Sequence, residues 1–182
     1  MSSFEATSRR GPPDPQMVSY AQNFEDVLLR RVFRDVTNGF YVDVGAFDPV
    51  VSSVTKHFYD LGWRGINLEP GTIFERLEEA RPEDVNLNIA ISDHEGSIPF
   101  FEDPNDPGIS SVREDSSDPT SEGRGSRLVQ CATLESVLER HARDGLINFL
   151  KIDAEGHEAA IVRSTNWRRF RPQILLIEAT LP

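Results

Sequence analysis

The sequence predicts an α/β fold, a parallel sheet with helices packed on both faces. Three observations lead to it. Apolar-rich runs recur at Phe40–Val44, Gly65–Leu68, Asn86–Ile91, Ile147–Ile152 and Gln173–Ile177, which is how strands buried on both faces read. Segments of helical period lie between most of them, as the crossovers of a parallel sheet require. Four of the runs carry an acid at their end, Asp43, Glu69, Asp153 and Glu178, and in open α/β sheets ligands bind beyond the carboxyl ends of the strands.

The chain has 182 residues, 38% hydrophobic and 27% charged, enough for one core and too few for a second domain. Residues 1–18 are rich in Ser, Pro, Gly and Arg with almost nothing to bury, so a disordered tail is expected before a single domain at 19–182. The formal net charge of -11 repels polyanions and points away from nucleic acid and anionic membranes, toward a neutral or cationic small molecule or a sugar. Cys131 is the only cysteine, which excludes an intrachain disulfide and C-x-x-C metal sites. With no long apolar span and no signal-peptide core near Met1, the expected location is cytoplasmic.

In chain order, Asn23 is placed to cap a first helix with Asp26 three residues on, its apolar face carrying Phe24, Leu28 and Val32. The strand Phe40–Val44 runs into the turn Gly45-Ala46-Phe47-Asp48-Pro49. A helix from Ser52 or Ser53 follows, with Val54, Phe58 and Leu61 on one face and Gly62 closing it. The second strand ends in Glu69, after which Thr72 and Glu75 form a capping box for a helix through Phe74, Leu77 and Ala80 that Pro82 terminates. Asn86–Ile91 is the third strand, and Ser97–Phe101 reads as a short extra one. Residues 102–126 are dominated by Asp, Pro, Ser, Gly and Glu, which is expected to be a long acidic loop, either disordered or a lid. Arg127–Cys131 returns as a strand, and Thr133 caps a helix bearing Leu134, Val137, Leu138 and a helix-end His141. The fourth main strand, Ile147–Ile152, leads to Asp153-Ala-Glu155-Gly-His157-Glu158 and a short helix before the fifth strand.

The first turn narrows the ligand. It holds one glycine, Gly45, where a nicotinamide loop needs G-x-G-x-x-G, and no G-x-x-x-x-G-K-[ST] occurs in the chain. Glu69 lies 24 positions past Gly45, near the spacing at which a Rossmann-like unit sets an acid against ribose hydroxyls. Asp-Val-Gly also ends ordinary buried strands, and acids such as Asp153, Glu155 and Glu158 also favour helix N-termini. Asp153, His157 and Glu178 match no defined ligand spacing, so no metal is expected.

The segments Ser19–Asp26, Tyr41–Ala46, His57–Pro70, Asn88–Ile91, Phe149–Glu158 and Ile174–Glu178, taken together and in order, resemble the FkbM family of S-adenosylmethionine-dependent methyltransferases. One stretch departs from it: where many members read Asp-Val-Gly-Ala-Asn-x-Gly, this chain has Phe47 and Pro49. The resemblance implies a class I methyltransferase fold with S-adenosyl-L-methionine as cofactor, and methyl transfer to a hydroxyl of a sugar, glycan or natural product. It also implies that Asp43, Gly45 and Ala46 line the methionine end, Glu69 the ribose, and Ser92 with Asp93 the adenine edge. Tyr20 and Gln22 would close over the site, while Asp153, Glu155 and His157 face the methyl group, with Asp153 or His157 as base. Class I enzymes carry two further strands that this chain is expected to lack. That leaves 173–178 as an edge suited to self-association, the mark of a truncated form. A non-catalytic cofactor-binding or scaffold domain, or another nucleotide-binding enzyme, would share the same topology.

Overall fold

The structure, a computed structural model, describes residues 17–103, 106–112, 125–142 and 145–178. Its centre is a five-stranded parallel sheet in the order β3-β2-β1-β8-β9, from β1 (Phe40–Val44), β2 (Arg64–Leu68), β3 (Val85–Leu87), β8 (Phe149–Ile152) and β9 (Ile174–Ile177). The order runs outward from β1 through β3 and then reverses through β8. Between β1 and β8 lies the switch point at which such sheets open a crevice.

Strand alternation sorts the side chains into two cores. Val42, Val44, Ile66, Leu68, Leu150 and Ile152 face one side, against Leu134, Val137 and Leu138 of α4 (Leu134–His141) and Ile161 of α5 (Glu158–Arg163). Tyr41 and Phe149 face the other, with Leu29 of α1 (Glu25–Val32), Phe33, Phe58 of α2 (Lys56–Asp60) and Trp63. This second core is aromatic: Phe58 lies 4.8 Å from Trp63 and 5.0 Å from Phe149 between centroids. Gly65 makes room for it, since a Cβ there would stand 2.2 Å from the Tyr41 ring. The same alternation carries Asp43, Asn67 and Lys151 to the aromatic side, and the register sets Asp43 beside both Asn67 and Lys151.

Several expectations are corrected. Asn23 does not cap α1; Phe24 occupies that position at φ 62° without a side-chain cap. The buried Asp26 instead reaches back to accept from Ser19 Oγ at 2.7 Å and the Tyr20 amide at 2.8 Å. Phe24, Leu28 and Val32 are exposed and Leu29 and Phe33 are buried, because the helix is rolled by one residue to reach the aromatic core. The 3.6 periodicity allows either set, and tertiary packing chooses. α2 begins at Lys56, later than expected, and Leu61 is exposed. The Thr72–Glu75 capping box does not form at α3 (Phe74–Ala80); Thr72 donates from its amide and hydroxyl to Glu102 Oε1, at 2.8 and 2.6 Å.

The expected single strand Asn86–Ile91 divides into β3 in the main sheet and β4 (Ala90–Ile91) in a second sheet of order β4-β7-β5-β6. That sheet corrects the expected loop at 102–126. β5 (Gly96–Asp103) and β6 (Asp106–Val112) pair antiparallel, and β5 pairs β7 (Gly125–Ala132) along its length. Ile98, Phe100, Val129 and Cys131 are the apolar face that makes this pairing stable. The tail at 1–16 and the remainder of the loop at 113–124 lie outside the described residues. Among the described residues no helix is long and apolar enough to cross a membrane.

Candidate functional site

A cleft of about 690 Å³ opens over the carboxyl ends of β1, β2, β8 and β9, within the range of roughly 300–1,000 Å³ typical of small-molecule sites. Its floor is the turn after β1. Gly45 and Ala46 donate their amides to Leu68 O at 3.0 and 3.2 Å, which ties the turn to β2. Gly45 adopts φ 73°, and a Cβ there would lie 1.8 Å from the backbone oxygen of Asp153. The glycine is therefore required by chain packing between two loops, before any ligand is considered.

One wall is built around Glu69, which is 6% exposed. Its carboxylate accepts from the Gly71 amide at 2.6 Å and the Phe47 amide at 2.8 Å. Burial pushes this carboxyl up, and the two amides pull it back down. The loop that presents Phe47 is pinned by a buried arginine. Arg81, 1% exposed, donates to Pro49 O at 2.7 Å and Ser53 Oγ at 3.2 Å. Asp48 accepts from the amides of Val50 and Val51 at 2.8 and 2.9 Å. Phe47 and Pro49 thus have definite partners, and the path of the turn is set by them. Phe47, Ser52 and Glu155 all have positive φ and all line the cleft. Backbone strain of this kind persists where surrounding structure enforces it.

The opposite wall is acidic. Asp153, Glu155 and Glu178 each bring a carboxylate oxygen within 4.8 Å of the others. Glu178 is pushed up to about 7, first by its hydrogen bond with Asp153, then by burial and the charges of Asp153, Glu155 and Glu158. Burial, then Asp153 and Glu158, push Glu155 up as well. At the base of this wall is Lys151, a lysine in an otherwise apolar strand. Its ammonium donates to Gly45 O at 2.8 Å and pairs with Asp43 and Asp153, each at 3.3 Å. Burial works against that charge, but the two carboxylates outweigh it and the lysine is held ionised.

Gly45, Ala46, Glu69, Gln22, Asp153 and Glu155 line the cleft. Asp43, 1% exposed, does not; it lies beneath the floor, accepting from Thr55 Oγ1 at 3.0 Å. Tyr20 is also outside the lining, and Lys56 Nζ sits 5.2 Å from its ring centroid. Ser92 is fully buried, and its hydroxyl meets His157 Nε2 at 3.1 Å. His157, 6% exposed, is not among the residues that line the cleft. Asp93 is exposed and bonded to His94, which holds its carboxyl below the usual range. Where Ser92 and Asp93 were expected, the cleft is walled by Pro70, Ile89, Ala90, Ile91, Phe100 and Val112. Sequence reasoning missed Lys151 and Arg81. A charged residue inside an apolar strand was the available signal for the first; nothing local distinguishes Arg81.

Residues 43–182 match the family model described as Methyltransferase FkbM domain. No curated protein and no solved structure matches the chain.

Proposed function

This chain belongs to the FkbM methyltransferase family, and from that premise we propose that it transfers the methyl group of S-adenosyl-L-methionine to a hydroxyl of a sugar, glycan or natural-product acceptor. The observation that carries the reading is a cleft at the switch point with a buried carboxylate, Glu69, on one wall and a carboxylate cluster on the other. Glu69 spends one hydrogen bond per oxygen on backbone amides, so each oxygen keeps capacity to accept from a ribose diol. Gly45 and Ala46 present backbone to the ligand, and Gln22 closes the rim. Asp43 supports the floor through Lys151 without reaching the ligand.

The cofactor supplies an electrophilic methyl group on a sulfonium. What the protein must add is an aligned acceptor oxygen and a place for its proton. His157 is engaged with Ser92 behind the wall, so proton acceptance falls to the acidic wall containing Asp153 and Glu155. The apolar wall of Ile89, Ala90, Phe100 and Val112 suits a flat base, as such surfaces do. The acids and the net charge of -11 disfavour anionic acceptors.

Calorimetric titration with S-adenosylhomocysteine beside NAD tests this. Saturable binding of the former and none of the latter is the expected result, and the reverse would sink the reading. A screen of sugar hydroxyls with labelled cofactor then finds the acceptor; binding without turnover on any hydroxyl would favour a non-catalytic domain.

A further inference from the structure

We infer that Glu178 is the group that takes the acceptor's proton, and that Lys151 is the positioning residue that makes it so by committing Asp153 to an ion pair. The catalytic half of this rests on the methyl-transfer reading above; the proton arrangement does not.

Glu178 Oε2 is buried and finds no hydrogen-bond partner among the described residues, yet Glu178 and Asp153 bring carboxylate oxygens within 4.8 Å of each other. Two carboxylates at that separation, both ionised, would present only acceptors to each other, and a single proton between them removes the conflict. Which of the two carries it is decided from below. Lys151 lies 3.3 Å from Asp153 Oδ2 and is itself anchored by Gly45 O and Asp43, so it cannot swing away. No cation is paired with Glu178 among the described residues. The other charges facing Glu178 are Glu155 and Glu158, both acids, which favour its protonated form. Lys151 thus commits Asp153 to an ion pair, and Glu178, pushed up to about 7, is the member that gains and loses a proton near neutral pH, where a general base works best.

The step balances simply. As the acceptor oxygen bonds to the methyl carbon of S-adenosylmethionine, the carbon–sulfur bond breaks and its electron pair remains on sulfur. The acceptor's O–H bond breaks and its proton passes to the ionised Glu178 carboxylate, which releases it to solvent before the next turnover.

The test uses the full chain without ligand. Protein labelled with ¹³C at glutamate side-chain carboxyls is titrated by NMR from about pH 4 to 9, and the Glu178 resonance is identified by its loss in Glu178→Gln. A midpoint near 7 is expected, as burial beside Asp153 implies. In Lys151→Met the shared proton moves toward Asp153, so the Glu178 midpoint or amplitude changes, whereas Lys151→Arg restores the parent curve. An ordinary glutamate midpoint in the parent, or a curve that Lys151→Met leaves unmoved, would overturn the inference. Should Lys151→Met fail to fold, Lys151→Gln removes the same charge with a polar side chain and is read in the same way.

For the catalytic half, Glu178→Gln is expected to bind S-adenosylhomocysteine as the parent does and to turn over roughly 100-fold more slowly. Parent turnover in that variant would overturn the assignment. A parent that binds no S-adenosylhomocysteine would instead overturn methyl transfer itself, and the base role with it, with the NMR result standing apart.

Discussion

The two walls of the cleft use the same residue type for different ends. Glu69 is the more buried glutamate, yet its oxygens each receive a backbone N–H, so its geometry is fixed before a ligand arrives. Glu178 is less buried, receives no donor at Oε2 among the described residues, and faces Asp153. A carboxylate whose donors come from the backbone is a rigid acceptor suited to holding hydroxyls. One whose neighbour is another carboxylate is a proton site. Surroundings, not burial alone, separate binding from chemistry.

A substitution in the floor that joins the walls should cost most. Gly45→Ala is expected to cost about 3 kcal/mol or more of folding stability, from the clash with Asp153 O and the positive φ. Chemical denaturation measures it, and a variant as stable as the parent would show that the Asp153 loop is free to move. The 1.8 Å approach makes the fold itself, and not only the ligand site, the casualty.

Next in size is Asp153→Asn, expected to lower turnover roughly 100-fold with cofactor affinity nearly intact. His157→Ala, behind the wall, should leave turnover within a few-fold and lose about 1 kcal/mol of stability with the Ser92 contact. If the histidine variant proves the dead one, the acidic wall is not the proton site.

On the binding wall, Glu69→Ala should weaken S-adenosylhomocysteine binding by roughly 1.5–3 kcal/mol, as charge-assisted hydrogen bonds are lost. Unchanged affinity would remove Glu69 from the ribose.

The smallest effect is the sharpest contrast. Glu178 is raised from 4.5 to about 7 on folding, so the folded chain binds the extra proton more readily than the unfolded one. Its contribution to stability is therefore fully present below about pH 4.5 and is lost as pH rises through about 7. Melting temperatures of the parent minus those of Glu178→Gln should fall across that window. A flat difference would mean that Glu178 titrates as an ordinary surface acid.

Much of this was legible because it is local. The strand runs, the Thr133 cap confirmed by its bond to the Ser136 amide at 3.2 Å, and the Gly62 stop at φ 90° depend on residues close in the chain. Asn86–Ile91 misled because its apolar content suits a strand in either sheet, and only pairing with β2 and β7 divides it. The segment 102–112 misled because its polar composition hides an apolar face supplied partly by β7.

By itself the sequence determined a parallel α/β sheet, four strand-end acids and the family to which the chain belongs, since periodicity, turn chemistry and motif order are carried by the residues in line. Tertiary structure alone decided which face of α1 is buried, that Asp43 lies under the floor rather than on it, and that Arg81 from a distant helix end holds the turn at Pro49. It also decided that Lys151 stands between Asp43 and Asp153. Asp43 and Lys151 are 108 residues apart in the chain and become neighbours only through the register of β1 against β8. The charge of a residue is written in its side chain, but the work that charge does depends on its partners, and those are set by strand pairing across long chain separations.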